Sequence, residues 1–536
     1  MKTRFSTLAL AAALPLTMMA AAPALSDDLR IGLSSEPSSM DPHFHNLGPN
    51  NALRQHIFQS LTYSDENMQI RPSLATAWEA TTDTTWEFTL RDDVSFSNGD
   101  AFSAEDVIYS ICRVPMVEGS PSSFTSFVRD IVGVEVDGST ITFTTDGPSP
   151  LLPTNMSSVA ILNASVYGGE GVEFSADGCA NMGDLPASTD FSSPETAIGT
   201  GPYTLENFVP GDRIELTRNA DYWDGTPSWD NVTLRPIANP GARVAALLAG
   251  DVDVIETPPI QDFDTIREAG FQIDQGLSNR VIYLHMDSGE EVPPGVSGTD
   301  GVNPFADVRV REAISKAINR DAIVERVMGG VAVPAGELLP YPLFGTREDA
   351  EPDVYDPERS AELLEEAGFG DGFEITLSSP NDRYINAERV AQAVAQFLSR
   401  IGIRTGVDAM TASTFFSSRN NQEFGMWLAG WGAASGEMAN SLTALVATRD
   451  PDTGMGSTNR QRYSNPAIDA LVMEARRTVD DDAREEILQR ASIMAMEDYA
   501  TVPLHFEVTP WAFAEGLELT PRVDQYTIAM MVRPAE

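Results

Sequence analysis

Between Asp356 and Val407, helix and strand signals follow one another in single file, and this alternation restricts the fold more than any other stretch. Asp356-Pro357 reads as a helix start: a capping carboxylate, then a proline whose missing N–H costs little in the first turn. Leu363 and Leu364 give the helix an inward face and Gly368 ends it, after which Phe373, Ile375 and Leu377 recur with the period of a strand. A helix from Ala387 to Arg400, a stop at Gly402 and a strand with Ile403 and Val407 complete a β-α-β unit. Neighbouring parallel strands need such a crossover, so this part of the chain builds a partly parallel sheet.

A chain of 536 residues exceeds what one core usually supports, so at least two lobes are expected. The chain between them is legible at two places. NRVIYLHMD (279 to 287) reads as a buried strand leaving one lobe, and VPLHFE (502 to 507) as the return crossing, preceded by helices at 466 to 478 and 482 to 499. Two crossings make a clamp that can close by hinge bending over a ligand in its cleft. Upstream, Leu29, Ile31 and Leu33 predict a strand, and Leu53, Ile57 and Leu61 have helical spacing. Residues 238 to 255 read as turn, helix and strand, with Val244, Leu247 and Leu248 inward and Gly250 as the helix stop.

The N-terminus carries an export signal over residues 1–26: Lys2 and Arg4, an apolar run broken by Pro15, then small residues. No cysteine lies there to take a lipid, so a free periplasmic protein is expected. The formal charge is −44, and loss of Lys2 and Arg4 takes it to −46, which excludes nucleic acid as a partner of the bulk surface. Lys316 is then the one lysine left, and the acidic surface reads as a solvated coat. Cys112 and Cys179 are the two cysteines; an oxidising compartment permits a bridge, and two buried thiols are the other reading.

Leu74 to Arg113 has the most specific wording. Trp86, Phe88 and Leu90 alternate as a strand, Val94 and Phe96 repeat the alternation, Asn98-Gly99 turns, and Ser103 caps a helix with Val107, Ile108 and Ile111 on its apolar face. A Trp, then W-x-F-x-L-R-x-x-V-x-F-x-N-G and an AEDV helix start, resembles the extracytoplasmic solute-binding proteins of peptide, nickel and opine ABC importers, family 5. The likeness continues through GTGPYTLENF (199 to 208), LLAGDVDVI (247 to 255), VREAISKAINRDAIV (310 to 324), LAGWG (428 to 432) and RYSNPAIDAL (462 to 471). It implies an α/β, two-lobed periplasmic-binding-protein fold of the large cluster, with two hinge crossings and an extra subdomain in lobe I. The expected division is 27–60, 195–279 and 505–536 for the lobe I core, 61–194 for the subdomain, and 280–504 for lobe II.

The same resemblance implies the site. The loop after the first strand lines the ligand, making Glu36 and Ser38 candidates, and the GW segment brings Gly430, Trp431, Gly432 and Ala433 to the cleft, while Trp427 shares a strand face with Trp431. Arg280 at the hinge and Asn440 are further candidates, as are Asn459 and Arg460; a cleft arginine would favour a ligand carboxylate or phosphate. Two departures stand out. Peptide-binding relatives place an Asp three residues after that Trp, against the ligand's ammonium group, where this chain has Ala434; they carry an upstream Trp where it has Ala412. Glu437 is the nearest substitute. Peptides therefore lead, with opines, oligosaccharides and metal chelates behind them.

His43, His45 and His56 do not have the spacing of a zinc site, and neither a G-x-S-x-G nor a phosphate-binding loop occurs. No metal or cofactor is expected. The function expected is that of a binding protein, monomeric and delivering a small-molecule or peptide ligand to ABC permease subunits, rather than of an enzyme; a secreted hydrolase with an acidic pair is the rival.

Overall fold

The computed structural model describes residues 28–289 and 291–535; the expected export signal, 1–26, lies outside them. A sheet of twelve strands runs through the molecule, and its middle is a ribbon of two long antiparallel strands, Gln272–Met286 and Val502–Phe513. On one side of the ribbon come Val254–Glu256, Asp28–Leu33, Asn231–Pro236, Arg213–Arg218 and Tyr203–Val209. On the other lie Met426–Gly432 and Phe373–Pro380, with Ile403–Met410 beyond. The two long strands are the crossings expected at 279–287 and 502–507, and both are longer than their apolar patterns indicate. Gln272–Leu277 has no apolar run; its strand conformation comes from the ladder to Val508–Phe513, which is buried throughout. Register shifts interrupt the ladder between Leu277 and Val281, the interval that holds Arg280, and again between Ile282 and Tyr283.

The β-α-β unit forms as expected. Phe373–Pro380 and Ile403–Met410 pair in parallel, Phe373 opposite Ile403, through the helix Ala387–Arg400. The strands start so close together that a Cβ on Gly372 would lie 2.1 Å from the Gly402 carbonyl oxygen, and both residues hold positive φ, +74° and +95°, so glycine is required twice over. Alternation along the neighbouring strands then sorts side chains into two cores. Val281, Tyr283, Trp427 and Ala429 face one side, and Ile282, Leu284, Met426 and Leu428 the other.

Residues 75–145 form a separate four-stranded antiparallel sheet, ordered Ala75–Thr82, Thr85–Leu90, Thr140–Thr145, Ile131–Asp137, with its own core around Phe88, Phe143 and Ile141. The helix Ala104–Arg113 starts where expected, the Asp106 carboxylate accepting from both the N–H (2.8 Å) and the hydroxyl (3.0 Å) of Ser103. Val94 and Phe96 differ from expectation: both are buried, but only a single bridge, Ser95 to Ala101, joins this segment, because the Asn98-Gly99 turn folds it on itself. The helix Gly48–Ile57 likewise stops before Leu61, which serves the four-stranded sheet's core. Cys112 and Cys179 are bridged, with Cα atoms 5.9 Å apart and a sequence separation of 67. The bridge fastens the loop-rich segment to the helix, and Tyr167, Val172, Met182 and Phe191 of that segment pack into the core around Leu29 and Ile31.

Candidate functional site

The helix Gly48–Ile57 presents a polar side to the interior of the molecule: Asn50, Asn51 and Arg54 are all buried on it. Arg54 lies one turn from Asn50, facing a cavity of ≈ 370 Å³. The cavity is lined by this helix, the chain around Ser60 and Tyr63, the turn with Tyr222 and Trp223, the C-terminal residues Asp524 and Tyr526, and, from the far side of the ribbon, Ala434 and Ser435. Gln59 fixes the aromatic wall. Its Nε2 donates to the Tyr222 hydroxyl at 3.0 Å, and its Oε1 accepts from Trp223 Nε1 at 2.7 Å, while the Arg91 guanidinium lies over the Trp223 ring at 3.9 Å.

Three buried polar atoms in this lining have no hydrogen-bond partner: Arg54 Nε, Gln55 Oε1 and Ser435 Oγ. Such atoms are costly unless something satisfies them. Two carboxylates line the cavity. Asp524 is held by Arg522 at 2.6 Å, whereas Asp224 has no ion-pair partner among the described residues.

A second polar set sits on the ribbon. Arg280 lies 3.3 Å from Glu507 on the partner strand, donates to Gln525 Oε1 at 3.2 and 3.1 Å, and approaches the Tyr384 ring at 6.0 Å. Burial pushes the Glu507 carboxyl up, against the pull of Arg280. Beside them, Asn279 Nδ2 donates to the Ala433 carbonyl at 3.0 Å and meets Met68 Sδ at 3.3 Å, while its backbone N–H donates to Val523 at 2.9 Å. Asn279 thus ties the two sides of the cavity together.

The residues singled out from sequence fall into separate places. Arg280, Gly430, Gly432 and Ala433 gather at the ribbon. A Cβ on Gly430 would sit 2.7 Å from both Ile282 and Tyr384, whose hydroxyl donates to the Gly430 carbonyl at 3.1 Å. Trp431 donates to Asn440 Oδ1 at 2.9 Å, and Trp427 is core. Glu36 accepts from the Gly211 N–H at 2.6 Å, and Ser38 bonds His45 Nδ1 at 2.7 Å. None of these lines the cavity; Ala434 does. Asn459 donates to three backbone carbonyls, whereas Arg460 Nε and Nη1 are without partners. Glu437 is not free to replace an acidic residue at 434, because it is buried against Arg484 at 2.5 Å. His43 and His56 are neutral core groups, burial lowering them to about 3 and about 4, and no group of three His, Cys, Asp or Glu suited to a metal occurs among the described residues. Arg54 and the Tyr222-Trp223 pair are not among the candidates read from sequence. The available signals were a cation one turn from Asn50 on a helix with an apolar face, and adjacent aromatics in the turn-rich DYWDGTPSWD.

Residues 69–452 match the bacterial extracellular solute-binding proteins, family 5, middle region. The chain belongs to this family. Family 5 relatives extend along almost its whole length: the glutathione-binding protein GsiB of Salmonella typhi is 28% identical over 527 residues, covering 96% of each chain. Among solved structures, the periplasmic murein tripeptide-binding protein MppA in its unliganded open form superposes with a TM-score of 0.76 at 23% identity, covering 95% of this chain and 98% of that one. A dipeptide-binding protein from Pseudoalteromonas sp. SM9913 in complex with Met-Leu gives 0.72 at 20%, covering 95% and 100%. The two-lobed fold is shared with both. A family 5 solute-binding protein works outside the cytoplasm, in accord with the disulfide.

Proposed function

We propose that this family 5 protein is the periplasmic receptor of an ABC importer and closes on a peptide-sized solute held in the cavity between Arg54, Tyr222 and Ser435. The orphaned polar atoms of that lining support the reading: a cavity with aromatic walls and unmet hydrogen-bonding groups is built to receive a polar molecule. Asp224 offers the ammonium group of a ligand the carboxylate that Ala434 lacks. The names of the relatives, a glutathione binder among them, favour short peptides and peptide-like thiols over opines, oligosaccharides and metal chelates. In this reading the chain is made with a cleavable signal over 1–26, acts as a monomer without metal or cofactor, carries out no catalysis, binds no nucleic acid, and divides at the ribbon into the two lobes expected from sequence. Transport needs only that the closed form bind tighter than the open one.

Thermal-shift measurements on residues 27–536 with dipeptides, tripeptides, glutathione, octopine, maltotriose and a nickel–histidine chelate test this directly. A ligand at a hundred times its Kd adds about 2.7 kcal/mol to stability. A rise in Tm with the peptides supports the proposal, and a rise with maltotriose or the chelate alone overturns the peptide assignment.

A further inference from the structure

The buried Arg113, Arg311 and Arg484 each meet a carboxylate, yet Arg54, with 8% of its surface exposed, forms no ion pair among the described residues. Its contacts are weak: Nη1 lies 3.4 Å from the Ser60 hydroxyl, Nη2 3.3 Å from the Ser157 carbonyl, and the guanidinium 5.9 Å from the Phe124 ring centroid. Nε has no partner. Burial lowers its pKa to about 10, which still leaves it charged at neutral pH. A buried, charged and under-bonded guanidinium is costly, and the fold keeps one in the wall of a cavity.

Resting on the function proposed above, we infer that Arg54 anchors a carboxylate of the ligand, so that the site selects solutes with a free acid group directed at the helix Gly48–Ile57. A carboxylate can accept two parallel N–H bonds from a guanidinium, a geometry that neither Ser60 nor Ser157 provides. Asp224 carries the opposite charge elsewhere in the same lining, which suits a zwitterion. The residue is therefore a determinant of specificity, distinct from the ribbon residues Arg280 and Glu507.

Isothermal titration of residues 27–536 with trialanine, trialanine amide and glutathione tests the assignment. The wild-type protein should bind trialanine about tenfold or more tighter than its amide. In Arg54→Met the acid and the amide should bind alike, and Arg54→Lys should keep part of the preference; circular dichroism and the Tm verify that each variant folds. If wild-type protein binds trialanine and its amide equally, or if Arg54→Met keeps the full preference, the role of Arg54 falls while the peptide reading stands. If wild-type protein ignores trialanine and glutathione yet saturates with neutral maltotriose, both fall.

Discussion

Arg280 and Glu507 face each other at 3.3 Å across the two strands that carry the chain through the middle of the molecule. Each also reaches beyond the ribbon, Arg280 to Gln525 and Glu507 to the backbone N–H of Ile385 at 3.2 Å, so the pair links the ribbon to segments on both sides. Removing the arginine alone leaves a buried carboxylate without its cation. Arg280→Met should therefore cost about 3 kcal/mol, and Arg280→Met with Glu507→Gln should recover most of it. Urea unfolding midpoints of the single and double variants measure the difference.

Glu337 gives a pH signature of known sign. It is buried, accepts from the Arg347 N–H at 2.9 Å and the Ser492 hydroxyl at 3.0 Å, and burial raises it from 4.5 to about 7. A carboxyl raised in the fold contributes stability that is present in full below pH 4.5 and is lost as pH rises through 7. Glutamine mimics the neutral acid, so Glu337→Gln should gain on the wild type across that window, by about 3 kcal/mol in total. The buried His43, His56 and His505, lowered to about 3, 4 and 4, work in the opposite sense, losing stability as pH falls below 6.5. They act equally in both proteins, so the difference between the two melting curves at pH 4.5 and pH 8 isolates Glu337.

The Cys112–Cys179 bridge constrains a long stretch of the unfolded chain. Chain-entropy arguments assign such a loop about 4 kcal/mol. Cys112→Ser with Cys179→Ser should lower the urea midpoint accordingly, and dithiothreitol should lower that of the wild type but not that of the double variant.

Much of this architecture was legible because local signals and tertiary packing agree. Asp356 caps its helix, donated to by the Arg359 N–H at 2.9 Å, and the strands after Gly372 and Gly402 pair as their crossover demands. Sequence fell short where conformation is imposed from outside. Gln272–Leu277 is strand only through its ladder to Val508–Phe513, and Val94 and Phe96 are buried by a turn instead of a sheet. The cavity was hidden for the same reason. Arg54, Trp223, Ser435 and Asp524 are far apart in sequence and share no periodicity, so only the packing of distant segments reveals them as one lining. The sequence reads Ala434 as standing in the place of an acidic residue, and its position on the cavity wall gives that absence a location.

That position also provides the most direct test of the claim that this cavity holds the solute. Ala434 is exposed, so Ala434→Trp should leave the Tm of the unliganded protein within a few degrees of the wild type while filling the space opposite Tyr222 and Trp223. Calorimetric titration of both proteins with trialanine and glutathione should show saturable binding to the wild type and none to the variant. Equal affinity in the two would contradict the account.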